Sequence, residues 1–213
     1  MAQLRTGLTP GLQCEEAIAA AALESRIPKH LMSAIGVVET GRPDRISGTW
    51  RPWPWAINAE GAGRYFESKA EAIAAVRLLQ ASGVRSIDVG CMQVNLMHHP
   101  DAFASLDQAF DPRRNASYAG QFLNQLFRRS GDWTVAAGWY HSTTPMLAAK
   151  YAQRVSSAMP GGSKVMNVGS IARLASPKPK VPTLSRDGTI LPSVRLNASG
   201  MVPVRATARN FLK

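Results

Sequence analysis

The stretch Leu31-Met-Ser-Ala-Ile-Gly-Val-Val-Glu39-Thr-Gly-Arg-Pro43 decides how the chain is read. Leu31, Ala34, Ile35 and Val38 recur at the spacing of a buried helix face. Gly41 and Pro43 stop that helix. Glu39 follows Val38 and lies one turn past Ile35, on the edge of the apolar stripe. A carboxylate so placed is partly desolvated, and desolvation favours its protonated form. A carboxylic acid that keeps its proton near neutral pH can act as a general acid. Taken alone, the segment reads first as an ordinary helix end with a solvated acid. A catalytic reading of Glu39 depends on what stands elsewhere.

Outward from this helix, the chain falls into helices separated by clear breaks. Residues 10–25 read as a first helix, with Pro10 at an early position, Glu15 and Glu16 near its start, and Cys14, Ile18, Ala21 and Ala22 on one face. Trp50, Trp53-Pro-Trp55 and Ile57 precede Gly61-Ala-Gly63, and Tyr65-Phe66 follow, which predicts a short β-hairpin within 44–68. Residues 69–82 read as a helix stopped by Gly83, and 84–97 as a loop entering a short helix. Further helices are expected over about 115–129, stopped by Gly131, over 133–140 with Asp132 as cap, and from Thr144-Pro145 to about Met159. Past Gly162 the prolines 177, 179, 182, 192 and 203 are spread through polar, basic sequence, and 161–213 is expected to be a largely disordered tail.

The 213 residues suffice for one domain plus that tail, and 45% hydrophobic residues suffice for a core. No apolar run is long enough for a transmembrane segment, and the N-terminus lacks the apolar stretch of a signal peptide. The chain is thus cytoplasmic, or its signal was removed or missed at the start site. The net charge of +11 is uneven. Residues 161–213 carry nine Lys or Arg against one acid, Asp187, so the rest of the chain is nearly balanced. A basic tail suits nucleic acid, an anionic membrane surface or an acidic polymer, and equally a solvated tail. Cys14 and Cys91 are too few for a disulfide scaffold and lack zinc spacing. In an exported chain one bridge between them is expected; in a cytosolic one, two small buried hydrophobes.

A second segment packs polar groups around a turn: Ser86-Ile-Asp88-Val-Gly90-Cys-Met-Gln93-Val-Asn95. Its amide and hydroxyl side chains suit sugar hydroxyls and N-acetyl groups, and suit helix caps and Asx-turns equally well. Together with Glu39-Thr40 and Ala136-Ala-Gly-Trp-Tyr140-His141-Ser142, and in that order, it resembles the three motifs of the soluble-lytic-transglycosylase family. These motifs are Glu-Ser, Gly-Leu-Met-Gln and Ala-Tyr-Asn. The likeness spans about residues 11–157, and the Trp-Pro-Trp and Tyr-His-Ser stretches resemble the subgroup found with flagella and specialised secretion systems.

The resemblance implies a mainly α-helical, α+β lysozyme-like domain over residues 8–160: a helical bundle around a glycan cleft with a small β-hairpin. It implies Glu39 as catalytic acid and base, Gln93 in the glycan cleft, and Tyr140 positioning Glu39. Thr40, Ser86, Asp88, Asn95 and His141 are the further substrate-binding candidates. Thr40, Cys91 and His141-Ser142 depart from the family's serine, leucine and Asn-Ala, and the Cys91 departure suggests pairing with Cys14. The 86–95 segment is also similar to the one carrying the second carboxylate of animal-type lysozymes, so Asp88 stands as a partner for Glu39 in a hydrolase. The activity that the resemblance implies is lytic transglycosylation of peptidoglycan in the periplasm with 1,6-anhydro ends, opening the wall locally for a flagellum or secretion apparatus; the alternative outside enzymes is a non-catalytic wall-binding or assembly protein. Glycan strands, and a structural protein of that apparatus meeting the tail, are the expected partners; nucleic acid is not. No cofactor or metal is expected. His98-His99 has no partner at ligand spacing and reads as a solvated pair. Trp50, Trp53 and Trp55 read as local packing ahead of sugar stacking.

Overall fold

The computed structural model describes residues 8–44, 47–160, 166–175, 183–184 and 190–191. It is mostly helical with a small sheet. The first helix, α1 (Pro10–Glu24), starts at Pro10 and buries Cys14, Ala17, Ile18, Ala21 and Ala22. Glu15 lies beyond its first turn and forms an ion pair with Arg51 instead of supporting the helix start. The next, α2 (Lys29–Thr40), buries Leu31, Met32, Ala34, Ile35 and Gly36 and ends at Gly41. At Gly36 the neighbouring helix comes close: a Cβ there would stand 2.6 Å from Ile18 Cδ1, which would have to move aside.

After a two-stranded ribbon, β1 (Arg42–Pro43) with β2 (Trp50–Arg51), the expected hairpin forms from β3 (Ala56–Ala59) and β4 (Ala62–Tyr65). Its two-residue turn, Glu60-Gly61, has φ of 52° and 92°, the left-handed pair that matches the twist of a tight hairpin. The hairpin is half of a larger sheet. Residues 84–97 do not form a loop entering a helix; they supply β5 (Ile87–Val89) and β6 (Val94–Asn95), giving the antiparallel order β4-β3-β5-β6. Ile87, Asp88 and Val89 alternate apolar, polar and apolar, and Gly90, at φ 79°, turns the chain back. One face of the sheet places Ile57, Ile87 and Val89 in a small core with Ala72, Ile73 and Val76 of α3 (Lys69–Ala81). The pairings Asn58↔Asp88 and Asp88↔Asn95 line three polar side chains in one row.

A short α4 (Leu106–Ala109) leads to α5 (Pro112–Ser130), which begins three residues before the expected start because Asp111 accepts from the Arg114 amide. Two more helices follow, α6 (Trp133–His141), capped by Asp132, and α7 (Pro145–Ala158), where the Thr144 side chain makes no cap bond. These helices, with α1 and α2, close the main core. The folded part continues past residue 160. In α8 (Val168–Ala175), Ser170 is fully buried and Leu174 nearly so, and the helix packs on α6 and α7. Ser170 Oγ donates to Asp132, which also pairs with Arg173. Asn167 caps the helix start, its Oδ1 accepting from the Gly169 amide at 2.8 Å; the sequence hides this helix because it is short and set in polar surroundings. Thr183–Leu184 pairs with Ile190–Leu191; the rest of the expected tail lies outside the described residues.

Candidate active site

Between the sheet's polar face and the helices lies a cleft of about 330 Å³. Glu39 lines it with Asn58, Asp88, Gln93, Val94, Asn95, His98, His99, Tyr118, Ala119, Phe122, Tyr140 and His141. Helix spacing brings Glu39 here: it stands four residues past Ile35 and eight past Leu31, at the end of the buried face.

Burial raises the Glu39 pKa to about 7; a hydrogen bond from Tyr151 pulls it down, the Asp88 charge pushes it up, and Arg154 pulls it down. Tyr151, in the buried face of α7, donates its hydroxyl to Glu39 Oε1 at 2.5 Å. The tyrosine hydroxyl that bonds Glu39 is therefore that of Tyr151 and not that of Tyr140. Tyr140 donates instead to the Met92 carbonyl at 2.7 Å and lines the cleft beside Glu39. The signal for Tyr151 was present: a tyrosine within the apolar set Ala148, Ala149, Ala152 and Val155 needs a partner for its buried hydroxyl.

The polar row is ordered by its own bonds. Asn95 Nδ2 donates to Asp88 Oδ1 at 2.7 Å and to Ser86 Oγ at 3.1 Å, while Asn95 Oδ1 accepts from the Met97 and His98 amides. Burial raises the Asp88 pKa, against the Asn95 bond and the His98 charge, which lower it. Gln93 adopts φ 48°, and its Nε2 donates to the carbonyls of Ala56 and Gly90. Asp88, Gln93, Asn95, Tyr140 and His141 thus share the cleft with Glu39.

Thr40 and Ser86 do not line the cleft. Thr40 is 1% exposed; its Oγ1 donates to the Cys91 carbonyl at 2.8 Å and accepts from the Trp53 amide at 3.1 Å. Next to Glu39 but a further 100° around the helix, it points inward and fixes the 90–93 turn. Ser86 acts on Asn95 from behind the row. The same turn is pinned from two more sides. Cys91 is disulfide-bonded to Cys14, with Cα atoms 5.7 Å apart, and the buried Asn115 accepts from the Met92 amide and donates to the carbonyls of Val89 and Ala109.

The histidine pair is not simply solvated. His99 Nδ1 lies 2.8 Å from Tyr118 Oη, and its ring meets Tyr118 and Phe122 edge to face. These three rings form an aromatic wall that sequence reading missed, because Phe122 counts there as core and His99 as surface. Among the described residues no three His, Cys, Asp or Glu side chains are grouped to hold a metal. None of Trp50, Trp53 and Trp55 lines the cleft: Trp53 packs edge-on to Trp55 under the Arg42 guanidinium, and Trp50 is exposed.

An acid with a pKa of about 7 can both give and take a proton near neutral pH, which is what general acid–base chemistry needs. Loss of the Tyr151 hydroxyl removes a group that favours the carboxylate. In Tyr151→Phe the Glu39 pKa is expected to rise by roughly one unit, read from the carboxyl carbon in an NMR titration; an unchanged titration would mean that the bond contributes nothing.

The chain matches no protein-family model, no curated protein and no solved structure.

Proposed function

We propose that this chain is a peptidoglycan-cleaving enzyme with a lysozyme-like domain, acting as a lytic transglycosylase on the β-1,4 bond between N-acetylmuramic acid and N-acetylglucosamine. The observation that carries the reading is Glu39: one carboxylic acid at the end of a buried helix, held near half-protonation at neutral pH, facing a row of amide side chains across an open cleft. Glu39 protonates the glycosidic oxygen. It then takes the proton from the muramic acid C6 hydroxyl, whose oxygen attacks C1 and closes a 1,6-anhydro ring. The bond to the leaving sugar breaks, and no water is consumed. An internal nucleophile already held near C1 lowers the barrier. Asn58, Gln93 and Asn95 offer partners for sugar hydroxyls and acetamido groups, and His99, Tyr118 and Phe122 offer an apolar wall for ring faces.

One observation favours a second reading. Asp88 lines the same cleft, and its charge acts on Glu39. In that reading Asp88 stabilises or attacks C1 and water completes a hydrolysis, as with the two carboxylates of lysozyme. Analysis of the sugars released from purified peptidoglycan separates the two. Anhydro ends are expected; free reducing ends would replace the first mechanism with the second, and no release at all would end both.

Action in the periplasm belongs to the same proposal, and the buried Cys14–Cys91 bridge fits an oxidising compartment. No helix among the described residues is long and apolar enough to cross a membrane. Local wall opening for a flagellum or secretion apparatus, and a structural partner meeting the basic tail, rest on the sequence resemblance.

A further inference from the structure

His141 stands at the end of α6, and its ring lies flat against Tyr151, with centroids 4.7 Å apart and planes 6° from parallel. The two residues differ sharply in exposure. Tyr151 is 2% exposed, whereas His141 is exposed and lines the cleft. Among the described residues, neither ring nitrogen of His141 makes a hydrogen bond. The ring is thus held by stacking, with one face on the phenol that donates to Glu39 and the remainder open to the cleft.

We propose that His141 is a positioning residue that covers the Tyr151–Glu39 hydrogen bond against cleft water, and so sets the alkaline limit of Glu39's work as an acid. The inference rests on the acid–base role proposed for Glu39. Desolvation is the largest cause of Glu39's raised pKa, and it persists only while water is kept from the carboxyl and its partner. A flat ring stacked on the phenol excludes water from one side without supplying charge. Burial and then Arg154 lower the pKa of His141 itself, so the cover is a neutral ring where Glu39 titrates. The charged and titratable groups around it are Arg154 and Tyr151 on α7, Tyr140 on α6, Glu39 on α2, and Asp88, His98 and His99 across the cleft. Tyr151 and Tyr140 are both pushed further above the ordinary tyrosine range, by burial first, so neither ionises near neutral pH.

The opposing effects of the two rings make the test direct. Taking away the Tyr151 hydroxyl removes a donor and raises the Glu39 pKa; taking away the cover admits water and lowers it. Glu39 is titrated by carboxyl-carbon NMR in the full chain, in His141→Ala and in His141→Phe. Alanine is expected to lower the Glu39 pKa by roughly one unit, while phenylalanine, which keeps a flat ring and loses both nitrogens, leaves it in place. In wall digestion the alkaline limb of His141→Ala moves to lower pH by the same amount. An unchanged or raised pKa in His141→Ala overturns the proposal. So does a fall in His141→Phe equal to that in alanine, which would assign the effect to the ring nitrogens. The NMR titration needs no turnover, so a protein that digests no wall refutes the proposed activity and still answers for the cover.

Discussion

Replacement of Glu39 by glutamine is expected to abolish release of soluble fragments from peptidoglycan, by about 10³-fold or more, because in the proposed reaction one group gives and takes the proton in both halves. Glutamine keeps the shape and can still accept from Tyr151, so the loss reads proton transfer and not collapse of the cleft. Stability provides an independent reading with the opposite sign. The Glu39 pKa in the folded chain, about 7, lies above its ordinary 4.5. Between these values the folded chain holds a proton that the unfolded chain has released. The stabilisation by the neutral acid is full below about 4.5 and is lost as pH rises through about 7. Above that, the native protein holds a poorly solvated carboxylate and the variant does not. Glu39→Gln is therefore expected to be the more stable protein at pH 8 to 9, by on the order of 2–3 kcal/mol, with the difference vanishing near pH 4. Denaturant unfolding at the two pH values checks this. Persistent digestion by the variant would remove Glu39 from the mechanism; equal stability at both pH values would mean that the carboxyl is well solvated.

The second large effect is expected from the disulfide. The Cys14–Cys91 bridge closes a loop with a sequence separation of 77, and both sulfurs are fully buried. Loop-closure entropy for that length corresponds to about 4 kcal/mol. In Cys14→Ala/Cys91→Ala the midpoint of thermal unfolding is expected to fall by roughly 8–16 °C. The loss should reach the cleft as well. The Cys91 carbonyl accepts from Thr40, beside Glu39, and the adjoining Met92 carbonyl accepts from Tyr140. Loosening this turn frees Gln93 and both carbonyls together, so digestion should fall at temperatures where the variant is still folded. A double variant that melts with the parent would show that the bridge constrains nothing.

The helical frame was legible because its signals are local. Apolar periodicity, Asp132 as a cap, and Gly41 and Gly131 as stops act within a few residues of where they are written. The Glu60-Gly61 turn is local in the same sense. What escaped depends on distant partners. The alternation at Ile87-Asp88-Val89 is three residues long and becomes a strand only because Asn58 and Asn95 flank it in space. Thr40 could be placed beside Glu39 in sequence, but only the approach of the 90–93 turn makes it an inward bond. Tyr151 and His99 look like a core residue and a surface residue, because the cleft is made of segments more than a hundred residues apart. The order of motifs pointed to Glu39, Asp88, Gln93 and Asn95; the bonding pattern assigned their supports.

The packing of α8 has a consequence for where this molecule ends as a folding unit. Gly138 lies in α6, two residues before Tyr140, and Leu174 Cδ1 would stand 2.8 Å from a Cβ at that position. Leu174 therefore fills a notch in the same helix that presents Tyr140 and His141, worth about 2 kcal/mol of apolar burial, while Ser170 and Arg173 hold Asp132 at the helix's opposite end. A chain cut after residue 160 would leave the notch bare and the Asp132 carboxylate without two of its partners. Residues up to Ala175 thus belong to the packed unit, and α8 rests on the very helix that builds one wall of the cleft.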